Sequence, residues 1–185
     1  MTRVGGLVLA AGAGSRFGAV KQLATYRGRP LIEHALAAVA DLEPRVVVLG
    51  HAAQEILARA DLHGARPVLC PEWAEGQAAS VRCGVAALGD VDAAVVVLGD
   101  QPLLTREAVA ALAAAAGRAE AARAAYGGRP GHPVLLGRTL LDRAGELRGD
   151  AGFRALLEDV RVHEVEIGDL ADPTDIDTQE ELARL

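Results

Sequence analysis

The chain has 185 residues, of which 51% are hydrophobic and only 3% aromatic, and its formal net charge is −6. This length predicts a single domain, 1–185, with a substantial core. The negative charge and the scarcity of aromatic side chains argue against a nucleic-acid-binding surface. No apolar run approaches the length of a membrane span, so we expect neither nucleic acid nor membrane as a partner.

The cysteines and the N-terminal residues bear on the compartment. Cys70 and Cys83 have the spacing of neither a CxxC motif nor a disulfide framework, which indicates structural thiols in a reducing compartment. The apolar N-terminal residues run directly into a glycine-rich loop, so a strand explains them better than a signal peptide does. We therefore expect a cytoplasmic protein.

The first predicted element is a buried strand that leads into a loop with three glycines, Gly12, Gly14 and Gly18. A sharply bent glycine backbone can turn its N–H groups toward an anion. The spacing differs from both the Walker A loop and the dinucleotide fingerprint. Arg16 and Lys21 add two cations, and Lys21 is the only lysine among the 19 Lys and Arg residues. This favours a phosphate-binding loop over a plain strand-to-helix turn.

Apolar patterning predicts alternating helices and buried strands along the rest of the chain. Helices are predicted over 30–40, 52–60, 77–88, 105–116 and 138–146, with one capped by Asp150 and ending at Glu158, and a last one from Thr178. Strands are predicted over 45–50, 66–70, 93–98, 134–136 and 160–167, and 119–125 fits either type. This order predicts an α/β fold with a parallel sheet covered on both faces. Turn-rich sequence predicts a small lid over about 126–160.

Asp100 directly follows the most apolar strand, 93–98. Ligands in open α/β sheets bind beyond the carboxyl ends of the strands, so Asp100 and the Gly12 loop are expected at one rim. A carboxylate facing a phosphate site needs a cation between them, and Mg²⁺ binds through carboxylates and phosphate oxygens. The sequence therefore predicts Asp100 as a magnesium ligand, with a turn-forming aspartate as the alternative.

A second magnesium ligand is predicted in the segment 175–178. Asp175 and Asp177 lie on the same side of the chain if this segment is extended. We favour Asp177 as the ligand, while Asp175 stays open. The alternative for Asp177 is that it caps the last helix.

Five motifs together resemble the MobA-like nucleotidyltransferases, and most closely the molybdenum cofactor cytidylyltransferases. They follow the family's order and cover nearly the whole chain: Leu9–Gly18 with Lys21, Gly99–Pro102, Gly131–Val134, Gly149–Arg154 and Asp175–Thr178. The resemblance implies a Rossmann-like three-layer αβα fold with a mostly parallel sheet and a small lid insertion. It also implies binding of a nucleoside triphosphate and Mg²⁺.

The resemblance assigns roles to individual residues. It implies nucleotide-binding residues at Leu9, Ala10, Ala11, Gly12, Gly14, Ser15, Arg16, Lys21, Gly76 and Ser80. Arg16, Lys21 and Asp100 are expected to be catalytic, and Asp100 and Asp177 to hold the metal. Acceptor-binding residues are expected at Gln101, Gly131, His132 and Asp150. The other four histidines lack metal-ligand spacing and are expected to be structural or at the surface.

The choice of nucleotide rests on position 11. Cytidine-type family members resemble this chain in having Ala-Ala-Gly at positions 10–12, whereas guanosine-type members have Ala-Gly-Gly. Our hypothesis is that the methyl group of Ala11 narrows the base pocket against a purine. The family's serine cluster after Gly76 is reduced here to Ser80, so GTP stays open as an alternative.

The reaction implied by the resemblance is transfer of CMP from CTP to the terminal phosphate of a molybdopterin-type cofactor, with release of pyrophosphate. A transient contact with a molybdenum enzyme or its chaperone is expected. Two alternatives are a sugar or polyol phosphate as acceptor, and a chaperone that binds nucleotide or cofactor without transfer. A nicotinamide-dependent oxidoreductase has the least support, because the glycine spacing is wrong for a dinucleotide.

Overall fold

The computed structural model describes residues 2–185, within which the chain forms nine strands and seven α-helices. The strands are β1 Val4–Ala10, β2 Thr25–Tyr26, β3 Arg29–Pro30, β4 Arg45–Leu49, β5 Arg66–Leu69, β6 Ala93–Leu98, β7 Ala121–Tyr126, β8 Arg129–Gly137 and β9 Val162–Glu166. The helices are α1 Leu31–Ala38, α2 Ala53–Arg59, α3 Gln77–Leu88, α4 Arg106–Ala113, α5 Arg138–Asp142, α6 Arg154–Leu157 and α7 Gln179–Ala183. None of the helices within residues 2–185 has the length and apolar character needed to cross a membrane.

Seven strands form one sheet in the order β5-β4-β1-β6-β8-β7-β9. Every strand in it runs parallel except β8, which pairs antiparallel with both β6 and β7. From β1 the chain first builds outward through β4 and β5, and then returns to add β6 on the other side of β1. The carboxyl ends of β1 and β6 therefore flank the topological switch point, where α/β sheets bind their ligands.

Helices cover both faces of the sheet. One face packs against α1, α2 and α4, through buried side chains such as Ile32 and Leu112. The opposite face packs against α3, α5 and α6, through side chains such as Val81 and Leu140. The molecule is thus a three-layer αβα structure with a mostly parallel sheet, which confirms the predicted fold class.

Several predicted elements differ from the observed ones in extent. Most of the ambiguous segment 119–125 belongs to the strand β7, which ends one residue later at Tyr126, and β8 is much longer than the predicted 134–136. The prediction that Asp150 caps a helix is wrong, because α6 begins only at Arg154 with Phe153 as its N-cap. The region 126–160 supplies β8 to the sheet, and α5 and α6 to one face; its role as a lid stays a prediction.

Candidate active site

The loop after β1 is bent at two glycines and fixed by one glutamine. Gly14 and Gly18 have positive φ angles of 59° and 75°, a conformation that favours glycine. The side-chain amide of Gln22 donates to the carbonyl oxygens of Ala10 and Gly12, at 3.1 and 3.0 Å. Gln22 is buried, so these bonds hold the start of the loop in place. Sequence reasoning missed Gln22, because its partners are backbone atoms that no motif reveals.

Lys21 lies between two carboxylates at the switch point. Its Nζ is 2.6 Å from Oδ2 of Asp100 and 3.0 Å from Oδ1 of Asp177. The Lys21 side chain is only 10% exposed, so water screens these pairs less than it screens surface ion pairs. Arg16 donates to the other Asp177 oxygen at 2.7 Å, although its own side chain is 73% exposed. We call these four residues, Arg16, Lys21, Asp100 and Asp177, the Lys21 cluster.

The contacts within the cluster shift the pKa values of Lys21 and Asp177 in the directions that keep these two groups charged. Burial by itself lowers the pKa of Lys21, but the charges and hydrogen bonds of Asp100 and Asp177 outweigh burial and raise that pKa. The hydrogen bond from Lys21, together with the charges of Lys21 and Arg16, lowers the pKa of Asp177. At neutral pH the cluster therefore contains an ammonium and an ionised Asp177 carboxylate.

The C-terminal segment reaches the cluster through a buried isoleucine. Ile176 is fully buried among Phe17, Tyr26 and Leu31, and its N–H donates to the Asp100 carbonyl at 3.1 Å. The cap of α7 is Thr178, whose hydroxyl accepts the N–H of Glu181 in a capping box. The alternative role of Asp177 as the helix cap is therefore excluded, and its side chain is directed to the cluster instead.

Asp175 contacts Gln101 and, within the described part of the chain, has no ion pair with the cations of the Lys21 cluster. The Gln101 amide donates to Oδ1 of Asp175 at 2.7 Å, and Gln101 is only 3% exposed. Burial, together with the nearby charge of Asp100, raises the pKa of Asp175. Asp175 thus has an amide partner, whereas Asp177 has two cationic ones. Gln101, predicted to bind the acceptor, holds the C-terminal segment against Asp100.

A cleft of about 410 Å³ opens beside Asp100. Five of the residues predicted for the nucleotide line it: Leu9, Ala11, Gly12, Gly76 and Ser80. Asp150, predicted on the acceptor side, lines this cleft as well. Trp73 and Ala74, which sequence reasoning did not select, supply another wall. The side chain of Ala10 packs in the core on the opposite face of the sheet.

A second cleft, of about 500 Å³, contains the predicted acceptor residues Gly131 and His132. Two cationic side chains, Arg123 and Arg154, also line it, together with the acidic Glu158. Arg123 is paired with Glu164 at 2.6 Å. Gln77 lines both clefts and marks the boundary between them. The two clefts thus meet near the end of β6. This arrangement can bring two substrates together.

His132 lies close enough to Asp100 for the carboxylate charge to affect the pKa of the imidazole. Burial lowers the pKa of His132 below 6.5, and the Asp100 charge opposes this only in part. The ring Nδ1 is buried and has no hydrogen-bond partner among residues 2–185. The imidazole is therefore neutral at pH 7, with one buried nitrogen unsatisfied.

Acidification is expected to destabilise the wild type more than a His132→Asn variant. Because the folded-state pKa lies below 6.5, the unfolded chain takes up a proton near that pH that the folded chain does not. Near pH 8 the difference in free energy of unfolding between the two proteins should not depend on pH. Below about pH 6.5 the free energy of unfolding of the wild type should fall more than that of the variant. Urea unfolding of both proteins across this range measures the difference. Equal losses in both would contradict the buried neutral imidazole.

The chain is similar over nearly its whole length to proteins of known family. The MobA-like NTP transferase domain matches residues 6–165. The chain is 35% identical, over 98% of its length and 96% of the relative's, to nicotine blue oxidoreductase of Paenarthrobacter nicotinovorans. The crystal structure of Rv0371c from Mycobacterium tuberculosis H37Rv is 29% identical, with a TM-score of 0.88 over 99% of this chain and 96% of that one.

A structure of Rv0371c in complex with manganese is also similar, with a TM-score of 0.82, 27% identity and coverage of 100% of this chain and 98% of that one. The family match covers most of the chain, and it includes the glycine loop, Lys21 and Asp100. This confirms the resemblance predicted from the motifs: the chain belongs to the MobA-like NTP transferase family, a family of nucleotidyltransferases.

Proposed function

We propose that this protein transfers CMP from CTP to the terminal phosphate of a molybdopterin-type cofactor and releases pyrophosphate. The observation that carries the proposal is the contact of Lys21 with both Asp100 and Asp177 at the switch point of the sheet. A cationic loop and two carboxylates at one rim suit a triphosphate accompanied by a metal ion. Cytoplasmic location and a transient contact with a molybdenum enzyme or its chaperone belong to the same proposal.

The residues of the cluster fit a magnesium ion. Asp100 and Asp177 converge on a single cation, the Lys21 ammonium, at 2.6 and 3.0 Å. The second oxygen of Asp100, Oδ1, is buried without a hydrogen-bond partner among residues 2–185. Coordination of a metal by this oxygen would break no hydrogen bond within the protein, and it would give a buried acceptor the partner that it lacks. Asp100 and Asp177 would hold the ion, which when bound neutralises charge on the triphosphate.

The chain's own residues account for the remaining chemistry. An oxygen of the acceptor phosphate attacks the α-phosphorus of CTP, and the bond from that phosphorus to the pyrophosphate breaks. A phosphomonoester has a second pKa of about 6, so it is already mostly dianionic at neutral pH and needs no general base. Lys21 and Arg16 would bind phosphate oxygens and stabilise the charge that moves onto the leaving group.

The second cleft suits an anionic acceptor. Arg154 lines it, and a guanidinium group binds phosphate through paired N–H donors. Arg123 lines it too, but its guanidinium already donates to Glu164 at 2.6 Å. His132 lines this cleft and lies near Asp100. Because its imidazole is neutral at pH 7, it would contact the acceptor without forming an ion pair with the Asp100 carboxylate that would hold the metal. The acceptor phosphate would thus enter from the Arg154 side, and the triphosphate from the Trp73 side.

Pyrophosphate release is the measurement that tests this function. The purified protein is incubated with Mg²⁺, each of the four ribonucleoside triphosphates, and one acceptor at a time. We expect pyrophosphate only with CTP and the molybdopterin-type cofactor. Release with GTP, or with a sugar or polyol phosphate, would support the alternative substrates. Nucleotide binding without pyrophosphate from any acceptor would contradict the enzyme and favour a chaperone.

Replacing Ala11 by glycine is expected to shift nucleotide choice toward GTP. Ala11 lines the first cleft, and removal of a methyl group that excludes a purine should raise the GTP-to-CTP ratio of kcat/KM about tenfold. The matched control is Ala10→Gly, which removes the same group from the core side of the sheet and should leave the ratio unchanged. An unchanged ratio in Ala11→Gly would contradict the role of this methyl group.

The name of one relative favours a second candidate function. Nicotine blue oxidoreductase is 35% identical over nearly the whole chain, so an oxidoreductase activity is the alternative. The G-x-G-x-x-x-G spacing opposes it, because dinucleotide-binding loops require G-x-G-x-x-G. Binding of NADH or NADPH, followed by its oxidation with a dye as acceptor, would support the alternative. If the protein neither binds nor oxidises NADH or NADPH, the oxidoreductase alternative is contradicted and the transferase function is supported.

A further inference from the structure

Three side chains of the kinds that bind metals converge beside the first cleft, outside the Lys21 cluster. They are Cys70, directly after β5, Glu72, in the 3-10 helix Pro71–Glu75, and Cys83, on α3. Their sulfur and carboxylate oxygen atoms all lie within 4.8 Å of one another. Within residues 2–185 this is the only group of three or more such side chains with that spacing.

The spacing and the chemistry of this group suit zinc. Zn–S bonds of about 2.3 Å at a tetrahedral angle separate two sulfur atoms by about 3.8 Å, so small side-chain movements would close the group around one ion. Two thiolates with a carboxylate select zinc-like cations over magnesium, which prefers oxygen ligands alone. Cys70 is buried, Cys83 half-buried and Glu72 exposed, so the group is open to solvent for entry of the ion and for a fourth, water ligand.

We propose that Cys70, Glu72 and Cys83 form a binding site for a divalent cation of the zinc class. On binding, each thiol gives its proton to solvent and its sulfur forms a bond to the ion. Both cysteines, predicted to be only structural, thereby gain a binding role.

The site would tie together two walls of the first cleft. Trp73 and Ala74, in the same 3-10 helix as Glu72, form one wall, while Gln77 and Ser80 of α3 form the next. An ion bound between Cys70 and Cys83 would fix the distance between these walls. Cys70, Glu72 and Cys83 are not among the residues of the Lys21 cluster, so the cation site does not depend on the proposed transferase reaction.

Cobalt is the probe that tests the site. The full chain, with its thiols fully reduced, is titrated with Co²⁺. We expect one equivalent to produce an intense near-ultraviolet sulfur-to-cobalt charge-transfer band, and Zn²⁺ to abolish it. Cys83→Ser should weaken this band by about half or more, and Glu72→Gln should weaken binding about tenfold while the band persists. Asp100→Asn should keep both band and affinity, which separates this site from the oxygen ligands of the Lys21 cluster.

Two results would overturn the proposal. One is the absence of a charge-transfer band at stoichiometric Co²⁺ in the reduced wild type. The other is a band that survives undiminished in Cys83→Ser. Cys83 is only half-buried, so its replacement by serine keeps the test valid even if Cys70→Ser fails to fold.

Discussion

Lys21→Met is expected to lower the kcat of nucleotidyl transfer by about 10²- to 10³-fold, the cost of removing one preorganised donor to a developing anion. Methionine keeps an unbranched apolar stem of four atoms and lacks the ammonium that contacts Asp100 and Asp177. Lys21→Arg should not restore activity. Its planar guanidinium differs in shape and hydrogen bonding from a compact ammonium, and the position is only 10% exposed. Pyrophosphate release under saturating CTP measures the effect.

A stability measurement separates catalysis from folding in this variant. Removing Lys21 leaves Asp100 and Asp177 without their shared cation, so the variant should be less stable than the wild type at neutral pH. Lys21 holds the pKa of Asp177 below 3.8, so the stability that this contact gives is present above pH 3.8 and is lost on further acidification. The gap between the two proteins should therefore narrow in acid. Wild-type turnover in a folded Lys21→Met protein would contradict the assigned role.

Asp100→Asn is expected to have the second large effect, a loss of about 10²- to 10³-fold in kcat/KM. Asparagine keeps the shape but removes the charge that would hold a metal. Asp177→Asn should also reduce activity strongly, because Asp177 contacts the same ammonium. The measurement is the dependence of kcat/KM on Mg²⁺ concentration, which should move to higher concentrations in both variants.

Asp175→Asn is the matched control for these substitutions. An asparagine can still accept the Gln101 amide, which lies 2.7 Å from Oδ1 of Asp175. Burial already raises the pKa of this carboxyl, so neutralising it should cost little stability at neutral pH. We expect activity within about threefold of the wild type, because Asp175 touches neither cation of the cluster. A greater loss in Asp175→Asn than in Asp177→Asn would reverse the assignment of the second ligand.

The local parts of the site were predictable from the sequence. Asp100 and the glycine loop each follow an apolar run, and parallel strands bring such ends to one rim. The contact between Lys21 and Asp100 follows from this rule together with the β1–β6 pairing. The long-range partners were not predictable. Gln22 bonds to backbone carbonyls, and Gln101 bonds to a segment more than seventy residues away.

The second half of the fold was harder to predict, for reasons of composition. β7 is rich in alanine, and small side chains carry neither a helical nor a strand period. β8 contains Pro130 and Pro133, which read as turn residues because proline gives no N–H to a ladder. The β7–β8 register shifts between Arg123 and Ala124, an irregularity that accommodates such residues. Pairing across the hairpin thus overrides the local signals.

The binding of CTP with and without Mg²⁺, compared between wild type and Asp100→Asn, tests most directly whether the Lys21 cluster holds a metal-bound triphosphate. Calorimetric titration in magnesium and in a metal chelator gives the two affinities for each protein. We expect Mg²⁺ to tighten CTP binding at least about tenfold in the wild type and to have no effect in Asp100→Asn. An equal gain from Mg²⁺ in both proteins would contradict the account.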